Sequence, residues 1–455
     1  MAASDPSCAM AQWGIAMTEM GNPMARAMPS KDALRDGAAA AERAADLVRE
    51  SSHRERMYVD AATAFYRATG DLAARMRAHE EALAALHATH PEDVEATIFY
   101  ARSVIANAPP TDLTFSRQMV GATLLEPLFA AQPDHPGLAH YLIHAYDAPA
   151  LADRGTEAAF AYAGIAPSAP HALHMPSHIF TRLGYWEESI ETNRRSAAAE
   201  PVPDAAVHPM DYMVYAYLQL GRDAAAREVV DRAVQNPDRY YGGILGYNFA
   251  AMPARFALER DAWSDAADLR VPVGASPFVE AITRFARAVG AARSGRSAAI
   301  APEVEALERL EGALKAQGDA YWATIVGAQR IAASAWEAHA RGDDATALRL
   351  AEEAAALEET VEKHPVTPGP IVPARELLGD LLLEAGRPAD ALAAYEATLS
   401  REPNRARTLY GAARAAERAG NQARAREHYS AILSLMADAD TGRPEPAAAR
   451  AFLGR

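Results

Sequence analysis

Hydrophobic and polar positions along the chain repeat in one phrase: an apolar stretch with helical spacing, a glycine with polar or aromatic neighbours, an alanine-rich stretch and a proline. One copy contains Gly184 and runs to Pro201, and another contains Gly386 and runs to Pro403. Apolar residues at a period near 3.6 indicate amphipathic helices, and glycine favours the left-handed conformation that ends a helix. Nothing in the sequence resembles runs of Val, Ile and Thr between hairpin turns. The pattern predicts an all-α chain built of helix pairs.

The spacing of these turns predicts a repeat array. Gly386 and Gly420 are 34 residues apart, and Gly184 and Gly221 are 37 apart. A chain of 455 residues is too long for one compact core, so either several domains or an elongated array is expected. We expect four segments: N-terminal helical repeats, His-rich helical repeats, irregular helical repeats and C-terminal repeats. Their bounds are 1–130, 131–237, 238–362 and 363–455.

Composition narrows the classes of function. Half of the residues are hydrophobic but only 7% are aromatic, and the net charge is −15 with a pI near 5.4. An acidic chain is not expected to bind nucleic acid. Cys8 is the only cysteine, which excludes an intramolecular disulfide and a zinc site built on thiolates. No apolar stretch approaches 18 residues, so no membrane span is expected. The sequence as given predicts a cytoplasmic protein and leaves open an upstream helix or signal peptide.

Histidines are concentrated in one part of the chain, where six of the 14 lie between His140 and His208, with aspartates at helical spacing from some of them. Their spacings are those of neighbouring positions on one helix face. The candidate ligands are His140, His144, Asp147, His171, His174, His178, His208 and Asp211. Imidazole and carboxylate groups without thiolate suit Zn, Fe or Cu. This constellation is the one part of the sequence that indicates chemistry in addition to architecture.

The segments 170–237 and 373–436 resemble tetratricopeptide repeats, in which two antiparallel helices form each unit of 34 residues. The resemblance implies a superhelix whose concave groove is lined by the first helix of each pair. With Gly184 at position 15, His171, His174 and His178 fall at positions 2, 5 and 9, which face that groove. The register of Gly221 places His208 at position 2, Asp211 at 5 and Tyr215 at 9. The resemblance therefore predicts that two neighbouring helices direct imidazoles and a carboxylate into one groove.

Two features modify this interpretation. Pro176 is not expected inside a helix, so the helix either kinks or begins there, and His171 and His174 then belong to a preceding turn. The strings 140–147 and 170–180 also resemble a bacterial subfamily of tetratricopeptide-repeat proteins, for which no general activity is implied. Further groove neighbours are expected at Tyr141, Tyr215, His364 and Glu376. His364 lies in the proline-rich segment 363–373, which is either a lid or a rigid connector.

Two functions remain open at this stage. The first is a metalloprotein, either one that only binds a metal or a metal-dependent enzyme whose reaction, substrate and catalytic residues the sequence does not indicate. The second is a scaffold without catalysis that binds a protein or peptide partner in the groove. A groove that senses pH through clustered imidazoles is a minor third hypothesis. Metal content separates the first from the second.

Overall fold

A computed structural model describes residues 3–25, 27–235, 242–440 and 442–454. Throughout these ranges the secondary structure is helical, and no strand occurs in them. The prediction of an all-α fold is therefore confirmed. The chain divides into two compact units, residues 1–146 and 147–455. The division into four segments remains a prediction, because the boundary between the two units does not coincide with any boundary between those segments.

The first unit is a series of helices in which each packs against the next along the chain. Its helices are α1 (Ala9–Glu19), α2 (Lys31–Leu47), α3 (His53–Arg67), α4 (Leu72–Thr89), α5 (Val94–Ala106), α6 (Ser116–Ala131) and α7 (Pro136–Tyr146). Polar side chains begin several of them, such as Ser52, which forms a reciprocal capping box with Glu55 before α3.

The second unit continues the pattern of helices that pack against their neighbours in sequence. Its first helices are α8 (Thr156–Ile165), α9 (Pro170–His174), α10 (Pro176–Leu183), α11 (Trp186–Ala199), α12 (Val207–Gln219), α13 (Asp223–Ala233), α14 (Gly243–Leu258) and α15 (Trp263–Ala267). The later ones are α16 (Pro277–Arg293), α17 (Ile300–Ala316), α18 (Ala320–Ala340), α19 (Asp344–Glu358), α20 (Ala374–Glu384), α21 (Pro388–Leu399), α22 (Ala406–Arg418), α23 (Gln422–Leu435) and α24 (Pro444–Leu453).

In the second unit, glycines lie between the two helices of several pairs, as the sequence pattern predicts. Gly184, Gly221, Gly386 and Gly420 all have φ between +67° and +74°, in the left-handed region. This conformation ends the preceding helix at little steric cost because glycine has no Cβ. The alanine-rich faces then pack closely, and the core contains small side chains around larger ones such as Trp336 and Tyr395.

Pro176 divides the histidine segment into two short helices. α9 ends at His174 and α10 begins at Pro176, which occupies a position where a missing N–H costs nothing. Met175 between them keeps helical angles, with φ −52° and ψ −38°. The expectation that the helix begins or kinks at Pro176 is confirmed. Since the backbone stays close to helical, His174 and His178 still lie on one face.

The proline-rich segment 363–373 packs against α12 and α14. The hydroxyl of Tyr212 donates to the carbonyls of Pro365 and Thr367, at 3.2 and 3.1 Å. Arg255 donates to the carbonyls of Gly369 and Pro370, at 2.7 and 2.6 Å. These buried bonds fix the segment as a cover over the two helices, so side chains of α12 are enclosed. Across the described ranges, no helix combines the length and the apolar character that a membrane span needs.

Candidate metal centre

Three histidines of the second unit come together at the junction of α9, α10 and α12. His174 and His178 are each 2% exposed, and His208 is half-buried. The ring centroids of His174 and His208 are 4.3 Å apart. One ligand nitrogen from each of the three can be chosen so that all lie within 4.8 Å of one another. We refer to His174, His178 and His208 as the triad.

Hydrogen bonds on the far side of two rings fix their tautomers. Nδ1 of His178 lies 2.9 Å from Oδ2 of Asp147, and Nδ1 of His174 lies 2.6 Å from Oδ1 of Asn193. The amide of Asn193 is itself oriented, because its Nδ2 donates to the carbonyl of Ser189 at 2.7 Å. Both acceptors are oxygens without a proton to give, so Nδ1 carries the hydrogen in both histidines.

The two Nε2 atoms face each other as a consequence. Nε2 of His174 and Nε2 of His178 are 3.1 Å apart. With both hydrogens on Nδ1, two lone pairs point at one another, an arrangement that a cation between them relieves. Metal–nitrogen bonds of about 2.0–2.1 Å would place these nitrogens at an angle of ~98° around one ion. The spacing therefore fits two ligands of a single metal.

His208 supplies the third imidazole of the triad. Its Nδ1 is buried and has no hydrogen-bond partner in the part of the chain that the structure describes. An unsatisfied buried nitrogen is costly, by about 1–3 kcal/mol. Coordination to an ion would satisfy it. Tyr212 closes one side, with its ring centroid 5.4 Å from that of His208 and 4.9 Å from that of His174.

Asp147 is the centre of a buried charge network behind His178. Its carboxylate accepts from Nε of Arg182 at 2.9 Å and from Nζ of Lys363 at 3.1 Å. Arg182 also donates to Glu362 at 2.7 Å. Burial by itself raises the pKa of Asp147, but Lys363, Arg182 and the hydrogen bond from His178 together hold it well below its usual range. Asp147 is therefore ionised and orients His178, as carboxylates do behind metal-bound histidines.

Burial keeps the imidazoles of the triad neutral. It lowers the pKa of His208 to about 3 and the pKa of His174 well below its usual range. Burial also lowers the pKa of His178, against the opposing effect of Asp147. A neutral imidazole is the form that binds a metal. The pKa of His208 lies far from neutrality, and those of His174 and His178 are lowered as well, so the triad does not favour the hypothesis of a groove that senses pH.

The remaining candidate ligands lie elsewhere. Asp211 is fully buried and accepts from Arg255 and Asn248, both at 3.2 Å, so its carboxylate has cationic and amide partners outside the triad. His171 is exposed, at the first turn of α9. His140 and His144 lie on α7 of the first unit, one turn apart, with ring centroids 4.9 Å apart. These four remain predicted ligands without a place in the triad.

The predicted groove neighbours are also dispersed. Tyr141 lies in the first unit, where its ring stacks on that of His140. The hydroxyl of Tyr215 is 3.1 Å from Nη1 of Arg405 in a buried network, and Glu376 accepts from the same arginine at 2.7 Å. His364 stacks on Trp322, with ring centroids 5.6 Å apart. Their expected position facing an open groove stays a prediction, and the burial of Tyr215 and Glu376 at 0% exposure does not favour it.

Sequence reasoning named Asp147, as a metal ligand, but missed two other groups around the triad. Asn193 lies on α11, and Lys363 lies in the proline-rich segment, far from the histidines in sequence. The rarity of lysine was a usable signal, since Lys363 is one of three lysines in the chain. No comparable signal marked Asn193, because an asparagine in an exposed-looking helix is ordinary.

Comparison with known proteins supports the repeat fold. Residues 376–444 match the family model of the tetratricopeptide repeat, which covers α20 to the start of α24. Among solved structures, the APC/C hetero-tetramer Cut9–Hcn1 is 8% identical, with 89% of this chain and 83% of that chain aligned at a TM-score of 0.29. Naa15/Naa10 bound to HypK-THB is 13% identical, with 95% and 71% aligned at a TM-score of 0.26. These scores carry no functional argument. No curated protein matches the chain.

The chain therefore contains tetratricopeptide repeats at residues 376–444, as the spacing of Gly386 and Gly420 predicts. The resemblance of its histidine strings to a bacterial subfamily remains a prediction.

Proposed function

We propose that this protein binds one transition-metal ion through His174, His178 and His208. The observation that carries the proposal is the 3.1 Å separation of two Nε2 atoms whose rings both hold their hydrogen on Nδ1. His208 adds a third imidazole, with one ligand nitrogen within 4.8 Å of those of His174 and His178. Neutral nitrogen ligands favour Zn, Fe or Cu over Mg or Ca, which prefer oxygen.

Three protein ligands leave a coordination position for water or substrate. This donor count is typical of catalytic metal sites, whereas structural zinc sites are closed by four protein ligands. We therefore propose, more specifically, that the bound metal takes part in a reaction on a small molecule. Tyr212 packs against the rings of His174 and His208, and burial holds its pKa well above the usual value, so its hydroxyl stays protonated at neutral pH.

The test is the metal content of the full chain, purified without a histidine tag. Elemental mass spectrometry should find about one Zn, Fe or Cu ion per chain, either as purified or after titration and desalting. His174→Gln and His178→Gln should each lose most of that metal. The matched control is His339→Gln, because His339 pairs with Asp344 and Glu384 on the surface of the same unit.

The proposal fails if the protein takes up none of these metals. It also fails if both triad variants, shown to be folded by circular dichroism, retain the metal content of the native protein. A metal that survives in both would belong to another part of the chain.

A second function is favoured by the match of residues 376–444 to the tetratricopeptide repeat. Here the protein is a scaffold without catalysis, and its repeats bind a protein or peptide partner. This function predicts that a purified complex with a defined partner survives an excess of chelator and the His178→Gln substitution. Dissociation under either condition would favour a role for the metal instead.

A further inference from the structure

A second site in the same unit is a cleft of about 870 Å³, a volume that includes its side open to solvent. The proline-rich segment lines part of it. The segment contributes one edge, and helices α16, α18 and α19 contribute much of the rest. The triad residues are not among those that line it, so the cleft is a site of its own.

One wall of the cleft is aromatic. The rings of Phe278 and Trp322 are stacked, with centroids 4.5 Å apart and planes 12° apart. Tyr321 and Tyr247 also line the cleft. Phe278, Tyr321 and Trp322 are only half-buried, so their rings are partly accessible from the cleft. Such a wall offers an apolar surface and the negative face of a π system.

The cations that line the cleft already have anionic partners. Arg375 forms two hydrogen bonds with Glu359, and Arg401 is 3.5 Å from Glu362. Lys363 is bonded to Asp147 at 3.1 Å. An anionic ligand would therefore have to compete with carboxylates that are in place. The cleft does not favour an anion.

Oxygens of other side chains in the same cleft have no cation within salt-bridge distance among the described residues. The side chain of Glu402, a residue that is 8% exposed, forms no hydrogen bond there, and the cations that lower its pKa act from beyond salt-bridge distance. Glu358 accepts one backbone hydrogen bond, from Ala374 at 2.8 Å, and is in no salt bridge within those residues. Oε1 of Gln329 is buried without a partner there. A largely buried carboxylate without a close cation is unfavourable, and burial accordingly raises the pKa of Glu358 to about 7 and raises that of Glu402.

We propose that this cleft binds an organic ammonium ion, with the ammonium group against Glu402 and Glu358 and the apolar body against Phe278 and Trp322. An ammonium group has only donors, and the carboxylates of Glu402 and Glu358 are in no salt bridge with the residues that the structure describes. Its charge supplies a close cationic partner for both, and the aromatic wall attracts a cation as well as an apolar group. The proposal does not depend on the metal centre.

The experiment is isothermal titration calorimetry at pH 8, where Glu358 is mostly ionised. The probes are 2-phenylethylamine, 2-phenylethanol and phenylacetate, which share a body and differ in charge. The amine should bind at least tenfold more tightly than the alcohol or the acid. Glu402→Gln should weaken the amine at least tenfold and leave the alcohol unchanged. The control is Glu352→Gln, an exposed glutamate on the same helix as Glu358.

Equal affinity for the amine and the alcohol would overturn the proposal, because the carboxylates would then contribute nothing. Absence of amine binding at millimolar concentration would overturn it as well. The comparison of probes needs only the native protein, so it stands even if a variant fails to fold. Glu358→Gln provides a second variant of the same kind. Either result can occur with the metal bound or removed, so this test and that of the metal centre are independent.

Discussion

Oδ2 of Asp147 lies 2.9 Å from Nδ1 of His178, and this bond determines which nitrogen of the imidazole carries the hydrogen. The same carboxylate is bonded to Lys363 and to Arg182, which also bonds to Glu362, so it cannot turn away without costing the buried Lys363 its salt bridge. The orientation of His178 therefore depends on residues from three separate parts of the chain.

Asp147→Asn should weaken metal binding by about 10–100-fold, because an orienting group behind a metal-bound histidine is lost. It should also lower the free energy of unfolding by about 3–5 kcal/mol, since Lys363 and Arg182 stay buried without their carboxylate. Competition with a chromophoric chelator measures the first quantity and urea unfolding the second. Asp153→Asn, on the exposed surface of the same unit, should change neither. An unaltered metal affinity in the folded Asp147 variant would contradict the assigned role.

Asn193→Leu should release the tautomer of His174 and leave that of His178 in place. The leucine has a similar size but cannot accept from Nδ1, whereas Asp147 still accepts from His178. Long-range ¹⁵N–¹H spectra of the imidazoles report the protonated nitrogen directly. In the native protein with metal bound, we expect Nδ1–H in both rings. Finding Nε2–H in either native ring would remove the basis of the metal proposal.

Gly184→Ala should destabilise the protein more than Gly386→Ala. Both glycines have positive φ, which costs an L residue about 1–2 kcal/mol. At Gly184 a Cβ would also lie 2.5 Å from the carbonyl oxygen of Pro403, while at Gly386 it meets nothing within 4 Å. Overpacking adds about 1–3 kcal/mol. Thermal unfolding of the two variants side by side measures the difference, and equal losses would show that the backbone yields at Gly184.

Glu376 should contribute to stability at neutral pH and lose that contribution in acid. Burial raises the pKa of Glu376, but Arg405 and Arg407 lower it by a larger amount, so that the pKa is about 2. A carboxylate with a lowered folded pKa stabilises the fold above its unfolded pKa, and the contribution falls as pH drops from about 4.5 towards 2. Integrated over this range of pH, the contribution of Glu376 to the free energy of unfolding is roughly 3 kcal/mol.

Glu376→Gln should therefore be less stable than the native protein at pH 7, and the gap should narrow below pH 4.5. Urea unfolding of both proteins across pH 3–7 gives this difference directly, since the other carboxylates are common to both. A gap that does not change with pH would mean that Glu376 is protonated, or unpaired, in the folded state.

Repeats and helix ends were predictable because their signals are local. A glycine such as Gly184 or Gly386 favours the end of a helix through its own backbone freedom. Pro176 cannot donate a backbone hydrogen bond in any fold. Asp211 shows the limit of such reasoning. Its register resembles that of the histidines, yet α14 brings Arg255 and Asn248 against its carboxylate. Nothing near Asp211 in sequence could indicate those partners.

The sequence by itself determined an all-α chain of helix pairs and the region in which imidazoles gather, because helix periodicity and turn chemistry act over a few residues. Only the tertiary structure decided which imidazoles meet and which nitrogen each presents. Those outcomes depend on Asp147, Asn193 and Lys363, which reach the triad from distant segments. Hydrogen bonds and buried charges between such segments form only when packing excludes water, so no local pattern records them.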